Sequence, residues 1–240
     1  MTSYFPEHSV NYFDLLKRCL MGWPYANFGY KTTKQERTEG RYWPDIAHTL
    51  LSLSRLNNIE ECCIEVIADQ IPGDFMECGV WRGGACILMK AIIDAKFEGS
   101  RKVIVADSFE GVPPPTLDID MRETFHNYGY LSVSLEQVKD NFSRYGLLDD
   151  RVQFMKGWFK DITLDSPLAV LRLDGDLYSS TMECLERLYK NVSVGGFVIV
   201  DDYVCMAHVR AAVDDFRRDN RITEGVVGVD WSAVYWRKLR

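Results

Sequence analysis

From residue 74 onward, short apolar runs alternate with stretches of helical periodicity. DFMECGV (74–80), KVIVADS (102–108), RVQFMKGWF (151–159), LAVLRL (168–173) and FVIV (197–200) are rich in Val, Ile and Phe. Runs of this kind read as strands. Between them, ACILMKAIIDAK, LEQVKDNFSRY and a segment opening at Ser180 read as crossover helices. Ser134-x-x-Gln137 and Ser180-x-x-Glu183 are capping-box starts, and Gly146 ends the middle helix. Gly195-Gly196 predicts a turn ahead of FVIV. After a last helix, about Met206 to Asp219, EGVVGVD and SAVYWRKL form an antiparallel pair at one edge. The pattern predicts an α/β fold with a mostly parallel sheet.

The first 73 residues pattern differently. VNYFDLLKRCLMG is amphipathic, and the polar stretch YKTTKQERTEGRYW lacks periodicity and reads as a mobile loop. Pro44 opens a predicted helix carrying Ile46, Ala47, Leu50, Leu51 and Leu53, and a second helix covers Asn58 to Gln70. The segment from Phe109 to Val133, with Pro113-Pro114-Pro115, is irregular, and loops this long inside compact domains are commonly lids. No linker divides the chain. Residues 1–43 are taken as an N-terminal substrate or oligomer segment, and 44–240 as the main domain.

Composition narrows the function. The 240 residues fit one large domain, 47% of them are hydrophobic, and the formal net charge is −7. That balance argues against nucleic acid and anionic membranes as partners. No run of about 18 apolar residues is present, and the N-terminus lacks the layout of a secretion signal. Seven cysteines with no CxxC pair point to reduced cytoplasmic thiols rather than a thiolate zinc site.

Ligands of open α/β sheets bind at the carboxyl ends of the parallel strands. Asp174 closes one such strand, and Asp201 and Asp202 close the next. With no obvious Arg or Lys partner, three such carboxylates call for a cation, and oxygen-only ligands favour Mg²⁺, Ca²⁺ or Mn²⁺. Glu77-x-Gly79-x-x-x-Gly83 is a strand-to-helix turn that admits a ligand to the backbone, although glycines also serve any tight βα turn. Asp107 ends the next strand, where an acidic residue accepts ribose hydroxyls or merely caps a turn. Glu77 lies on an apolar strand and needs a donor or cationic partner. Among the histidines, His8 reads as surface and His48 as packed, His126 lies in the long loop, and His208 stands near the Asp pair. Phe125, Tyr128, Tyr130, Trp158 and Phe159 are candidates to line a pocket.

MECGVWRGGACILM, ADSFEGVPPP, NFSRYGLLDDRVQFMKGWFKD and LRLDGDLYSSTMECLERLYKNVSVGGFVIVDDY together resemble the macrocin/mycinamicin sugar O-methyltransferase family, over roughly residues 40 to 236. The resemblance implies a Rossmann-like class I fold dependent on S-adenosyl-L-methionine (SAM), with a doubly wound, mostly parallel sheet and an antiparallel edge strand. It implies a SAM donor, Mg²⁺, and a hydroxyl acceptor on a glycosylated natural product, a small molecule made in antibiotic biosynthesis. Glu77, Gly79, Val80, Trp81 and Gly83 would hold the methionine end of SAM. Asp107 and Ser108 would take the ribose, and Gly157 and Trp158 would lie by the adenine, with Asp174 also lining the donor site. Asp174, Asp201 and Asp202 would bind the metal. Asp174 is the first candidate for the base, followed by Asp176 and His126, and a homodimer or larger homo-oligomer is expected. Alternatives are a non-sugar acceptor, an Asp-cluster metal-dependent hydrolase and a non-catalytic SAM binder.

Overall fold

The computed structural model describes residues 11–26, 33–96 and 98–240; His8 and the rest of the first ten residues lie outside them. Five parallel strands, β1 (Asp74–Cys78), β2 (Val103–Asp107), β3 (Val152–Lys156), β4 (Leu168–Leu173) and β5 (Val192–Val200), form the body of the sheet. β7 (Val234–Arg237) pairs antiparallel with β5, and β6 (Val227–Gly228) pairs antiparallel with β7, as the edge pattern predicts. The strand order is β3-β2-β1-β4-β5-β7-β6, so the chain reverses direction across the sheet between β1 and β4. A crevice opens outside the strand ends at such a switch point.

Successive strand residues face opposite sides. Phe75, Val103, Val105, Val170, Phe197 and Ile199 pack on one face under α1 (Tyr12–Leu20), α3 (Leu53–Ala68), α4 (Gly84–Ala95) and α5 (Leu135–Arg144). Met76, Cys78, Ile104, Leu171, Leu173, Val198 and Val200 pack on the other under α6 (Tyr178–Leu188) and α7 (Ala207–Asp219). Both faces are therefore dry, which explains the nearly unbroken apolar runs. Leu16, Leu20 and Met21 are buried in the same core as α4, so α1 packs directly on the main body.

Four local expectations are corrected. The polar stretch holds a short helix, α2 (Lys34–Thr38), closed by a capping box between Thr33 and Glu36. Pro44 opens no helix. Residues 41–52 are irregular, because buried Arg37 on α2, which also donates to the Met21 carbonyl, donates to those of Thr49 and Leu51 and diverts them from helical partners. A single helix, α3, follows, capped by Ser52. Gly195-Gly196 makes no turn: β5 continues through it as an irregularity where the β4 register slips, and a side chain at Gly196 would meet the Ala169 carbonyl at 2.8 Å. Ser180 lies inside α6, whose N-cap position is Leu177 with no capping side chain of its own.

Candidate active site

A cavity of about 740 Å³ opens at the carboxyl ends of β1, β2, β4 and β5, within the size range of small-molecule sites. Gly79, Trp81, Asp107, Ser108, Gly157, Trp158, Asp174, Asp176, Asp201 and Asp202 all border it. Non-glycine residues with left-handed backbone cluster here: Trp81, Phe109, Asp176 and Asp202 have φ between 46° and 62°. Such conformations cost free energy and gather where a site dictates geometry.

One side of the cavity is built from backbone. At Gly79 φ is +85°, and a Cβ would fall 1.8 Å from the Asp174 carbonyl oxygen, so only glycine lets the β1 turn pass the end of β4. Gly83, also left-handed, caps α4. Asp107 accepts from the Val80 amide at 2.8 Å and the Phe109 amide at 2.7 Å, tying this turn to the end of β2. Burial raises the Asp107 pKa, with these amides working against the rise. Glu77, Val80 and Gly83 lie behind the cavity wall rather than on it.

The other side is built from charge. Glu77 and Arg172 are register partners on β1 and β4, both fully enclosed, and form an ion pair. Glu77 thus finds the cationic partner that its apolar strand requires. Arg172 also pairs with Asp201 and reaches Asp174 Oδ2 at 3.1 Å. From α3, Arg55 donates to Asp201 Oδ1 at 2.7 Å and to Asp230 at 3.1 Å. The expectation that these aspartates lack basic partners is therefore overturned for Asp174 and Asp201. In the sequence Arg172 is one more position of an apolar strand, and Arg55 is remote.

The two guanidiniums divide the acidic group. Burial alone would raise the Asp201 pKa, but Arg55, Arg172 and the Ser232 hydroxyl outweigh it and hold it below the ordinary range. Asp174 and Asp176 are pushed well up, first by burial and then by neighbouring carboxylates, with Arg172 opposing the rise at Asp174. Asp202 is raised to about 6 by burial and by Asp201. Among the described residues, the carboxylates whose oxygens gather within 4.8 Å of one another are Asp174, Asp176 and Asp202. Asp176 joins this group, whereas Asp201 is held by its arginines. Oxygen-only donors with unneutralised negative charge fit a hard divalent cation.

Phe125, Trp158 and Phe159 line the cavity, together with Trp43, Leu50, Leu51 and Trp231. Trp43 and Trp231 come from segments whose spacing carried no signal. His126 is exposed and does not border the cavity, nor does Tyr128, which is 50% exposed. Tyr130 instead braces the rim: it stacks on Trp43 with ring centroids 5.8 Å apart, and its carbonyl accepts from Trp81 Nε1. His48 hydrogen-bonds the Tyr145 hydroxyl at 2.8 Å.

Comparison with known proteins identifies the lineage. Residues 22–238 match the model of the macrocin O-methyltransferase (TylF) family. The chain is 46% identical to an 8-demethyl-8-(2,3-dimethoxy-alpha-L-rhamnosyl)-tetracenomycin-C 4′-O-methyltransferase of Streptomyces olivaceus, over 94% of this chain and 92% of that one. It is 42% identical to a mycinamicin III 3″-O-methyltransferase of Micromonospora griseorubida, over 95% and 96% of the two chains. The solved structure of the O-methyltransferase NovP superposes with a TM-score of 0.91 at 44% identity, covering 95% of this chain and 98% of that one.

Proposed function

The chain belongs to the macrocin O-methyltransferase family and is an O-methyltransferase; from that premise we propose that it methylates a sugar hydroxyl of a glycosylated natural product with the help of Mg²⁺. Family membership implies SAM as the donor and removes the hydrolase alternative. One observation carries the reading: a cavity with a backbone-built wall and a facing carboxylate cluster joins what a methyl donor needs to what an acceptor hydroxyl needs. The two relatives are named for 4′- and 3″-O-methylation.

Bound SAM supplies a methyl on a sulfonium, already electrophilic. The residues of the chain orient it: Gly79 and Trp81 bring backbone to the donor, Asp107 and Ser108 stand ready for the ribose, and Gly157 and Trp158 border the adenine side. A bound Mg²⁺ would supply a lowered acceptor-hydroxyl pKa, and Asp174 and Asp202, whose oxygens gather with those of Asp176, would hold it, while Asp201 stays with its arginines. Asp176 is assigned the acceptor proton, because it borders the cavity beside Asp174, which is shared with Arg172. Holding the acceptor in line against the aromatic wall supplies much of the remaining acceleration.

Among the described residues no helix is long and apolar enough to cross a membrane, and all seven cysteines are free, which supports a cytoplasmic enzyme. Exposed Tyr12 and Leu15 on α1 support a homodimer contact. The decisive experiment is transfer from methyl-labelled SAM into a panel of glycosylated acceptors and their aglycones, with Mg²⁺ or with EDTA. Label in the sugar, only with Mg²⁺, is expected. Label in aglycones alone overturns the acceptor, and transfer indifferent to EDTA overturns the metal.

A further inference from the structure

Helix α6 begins directly after the Asp174-Gly175-Asp176 turn, and its N-cap, Leu177, offers no side chain to the first amides. Unpaired amides at a partly buried helix start are costly, so another group must serve them. That group is Asp120, 58 residues away in the long loop. Its Oδ1 accepts from the Tyr178 amide at 2.8 Å, and its Oδ2 accepts from the Ser179 amide at 3.1 Å and the Ser179 hydroxyl at 2.9 Å. Asp120 is completely enclosed, although its neighbours Ile119 and Met121 are 47% and 55% exposed. A carboxylate buried inside an otherwise solvent-facing loop is a built anchor, since its three donors offset a large desolvation cost.

A second tie runs from the same loop to the same turn. His208, on α7, has Nε2 2.8 Å from the Asp176 carbonyl oxygen, so Nε2 carries the proton and donates. When the ring carries both protons, its Nδ1, 3.5 Å from Glu123 Oε1, forms an ion pair with that carboxylate. Asp120 and Glu123 are themselves linked, the Glu123 amide donating to the Asp120 carbonyl at 2.9 Å. Asp176 needs such support, because its φ of +59° is a conformation that a non-glycine residue holds only when its surroundings impose it.

The structure assigns Asp120 as a positioning residue: the loop between Phe109 and Val133 clamps the start of α6 through it, and so fixes Asp174 and Asp176 for transfer. Glu123 and His208 form the auxiliary tie. Loop placement and carboxylate placement thereby become one event, so the reactive geometry is completed only when the loop is seated over the cavity. This assignment rests on the transferase reading above. It differs from that reading in what it demands, since the donor wall does not touch Asp120.

Asp120→Ala and Glu123→Ala test it. The readouts are kcat and KM, the Kd for S-adenosylhomocysteine by calorimetry, and amide hydrogen exchange at 117–131 and 174–179, all measured well below each variant's Tm. For Asp120→Ala, kcat is expected to fall about 10- to 100-fold, the scale of a small misplacement of reacting groups. The Kd is expected to stay within about twofold, with faster exchange in both segments. Glu123→Ala should show the same split with a smaller kcat loss. Wild-type kcat and exchange in Asp120→Ala, with only Tm lowered, would overturn the assignment and leave Asp120 a mere helix cap. An equal loss of donor affinity would also overturn it. Should Asp120→Ala not fold, Asp120→Asn, which keeps one acceptor for the Tyr178 amide, is read by the same criteria. If the wild type transfers no methyl group, the transferase reading fails, and the linked exchange of the two segments still decides whether the loop clamps the turn.

Discussion

The two sides of the cavity are stabilised by opposite means. The donor side, from Gly79 to Gly83 with Asp107, is held by backbone hydrogen bonds and a close strand approach that only glycine allows. On the carboxylate side, Arg55 and Arg172 satisfy Glu77 and Asp201, while Asp174, Asp176 and Asp202 keep raised pKa values. That side carries unbalanced charge, which only an added cation or proton relieves. A ligand that meets the donor side gains affinity from preorganisation. A cation that meets the carboxylate side also gains stability for the whole protein.

The strongest break of this contrast is Asp202→Asn, with Asp174→Asn beside it. Transfer is expected to fall by at least about 100-fold, since metal-derived charge stabilisation is worth several kcal/mol. The Kd for S-adenosylhomocysteine should hardly move. The cation-free Tm of Asp202→Asn at pH 7.5 should equal or exceed that of the wild type, because a repelling charge is gone, and added Mg²⁺ should no longer raise it. Asp201→Asn should behave oppositely in stability. Removing that carboxylate takes one partner from each of two buried guanidiniums, so its Tm falls even without the cation. Thermal melts with and without Mg²⁺, beside an activity assay, separate the cases. A wild-type Mg²⁺ response in Asp202→Asn would remove it from the cation site.

Next in size is Arg172→Met. Loss of one partner from a buried ion network costs about 3–5 kcal/mol, a drop in Tm of roughly 6–20 °C for a chain of this length. Because Arg172 joins Glu77 on the donor strand to Asp174 and Asp201, both sides should suffer, unlike any single carboxylate variant. Melting curves check the stability, and calorimetry with S-adenosylhomocysteine checks the donor side. A variant as stable as the wild type would show that the network is not what holds the carboxylate side together.

The same contrast governs what the sequence made readable. The donor side and the sheet follow from period and punctuation: apolar runs buried on both faces, then Gly or Asp at the strand end. The antiparallel β6–β7 edge was legible for the same reason. Long-range side-chain pairing was not. Arg172 looked like one more residue of LAVLRL, and nothing in the spacing announced that Arg55 would reach Asp201 across 146 positions. Tertiary demand also overrode local pattern at Arg37, which takes the Thr49 and Leu51 carbonyls from the helix predicted after Pro44. At α6, Ser180 looked like a cap, yet the capping carboxylate came from Asp120 in a stretch with no periodicity at all.

The mildest break is Asp107→Ala, and it sharpens the contrast from the donor side. Its carboxylate serves the Val80 and Phe109 amides, so truncation leaves two backbone donors short and loosens the turn that meets the donor. Stranding such groups costs about 1–3 kcal/mol, which here should appear as a roughly 5- to 150-fold weaker Kd for S-adenosylhomocysteine. Asp107→Asn keeps one acceptor and should lose less. In both variants kcat at saturating SAM should stay near the wild-type value, because Asp174, Asp176 and Asp202 are untouched, and the Mg²⁺-dependent rise in Tm should persist. Calorimetry and a SAM saturation curve are sufficient. Affinity lost with kcat kept marks a wall that binds and facing carboxylates that act. An equal fall in kcat would mean that Asp107 shapes the carboxylate side as well, and the two halves of the cavity would have to be treated as one mechanical unit.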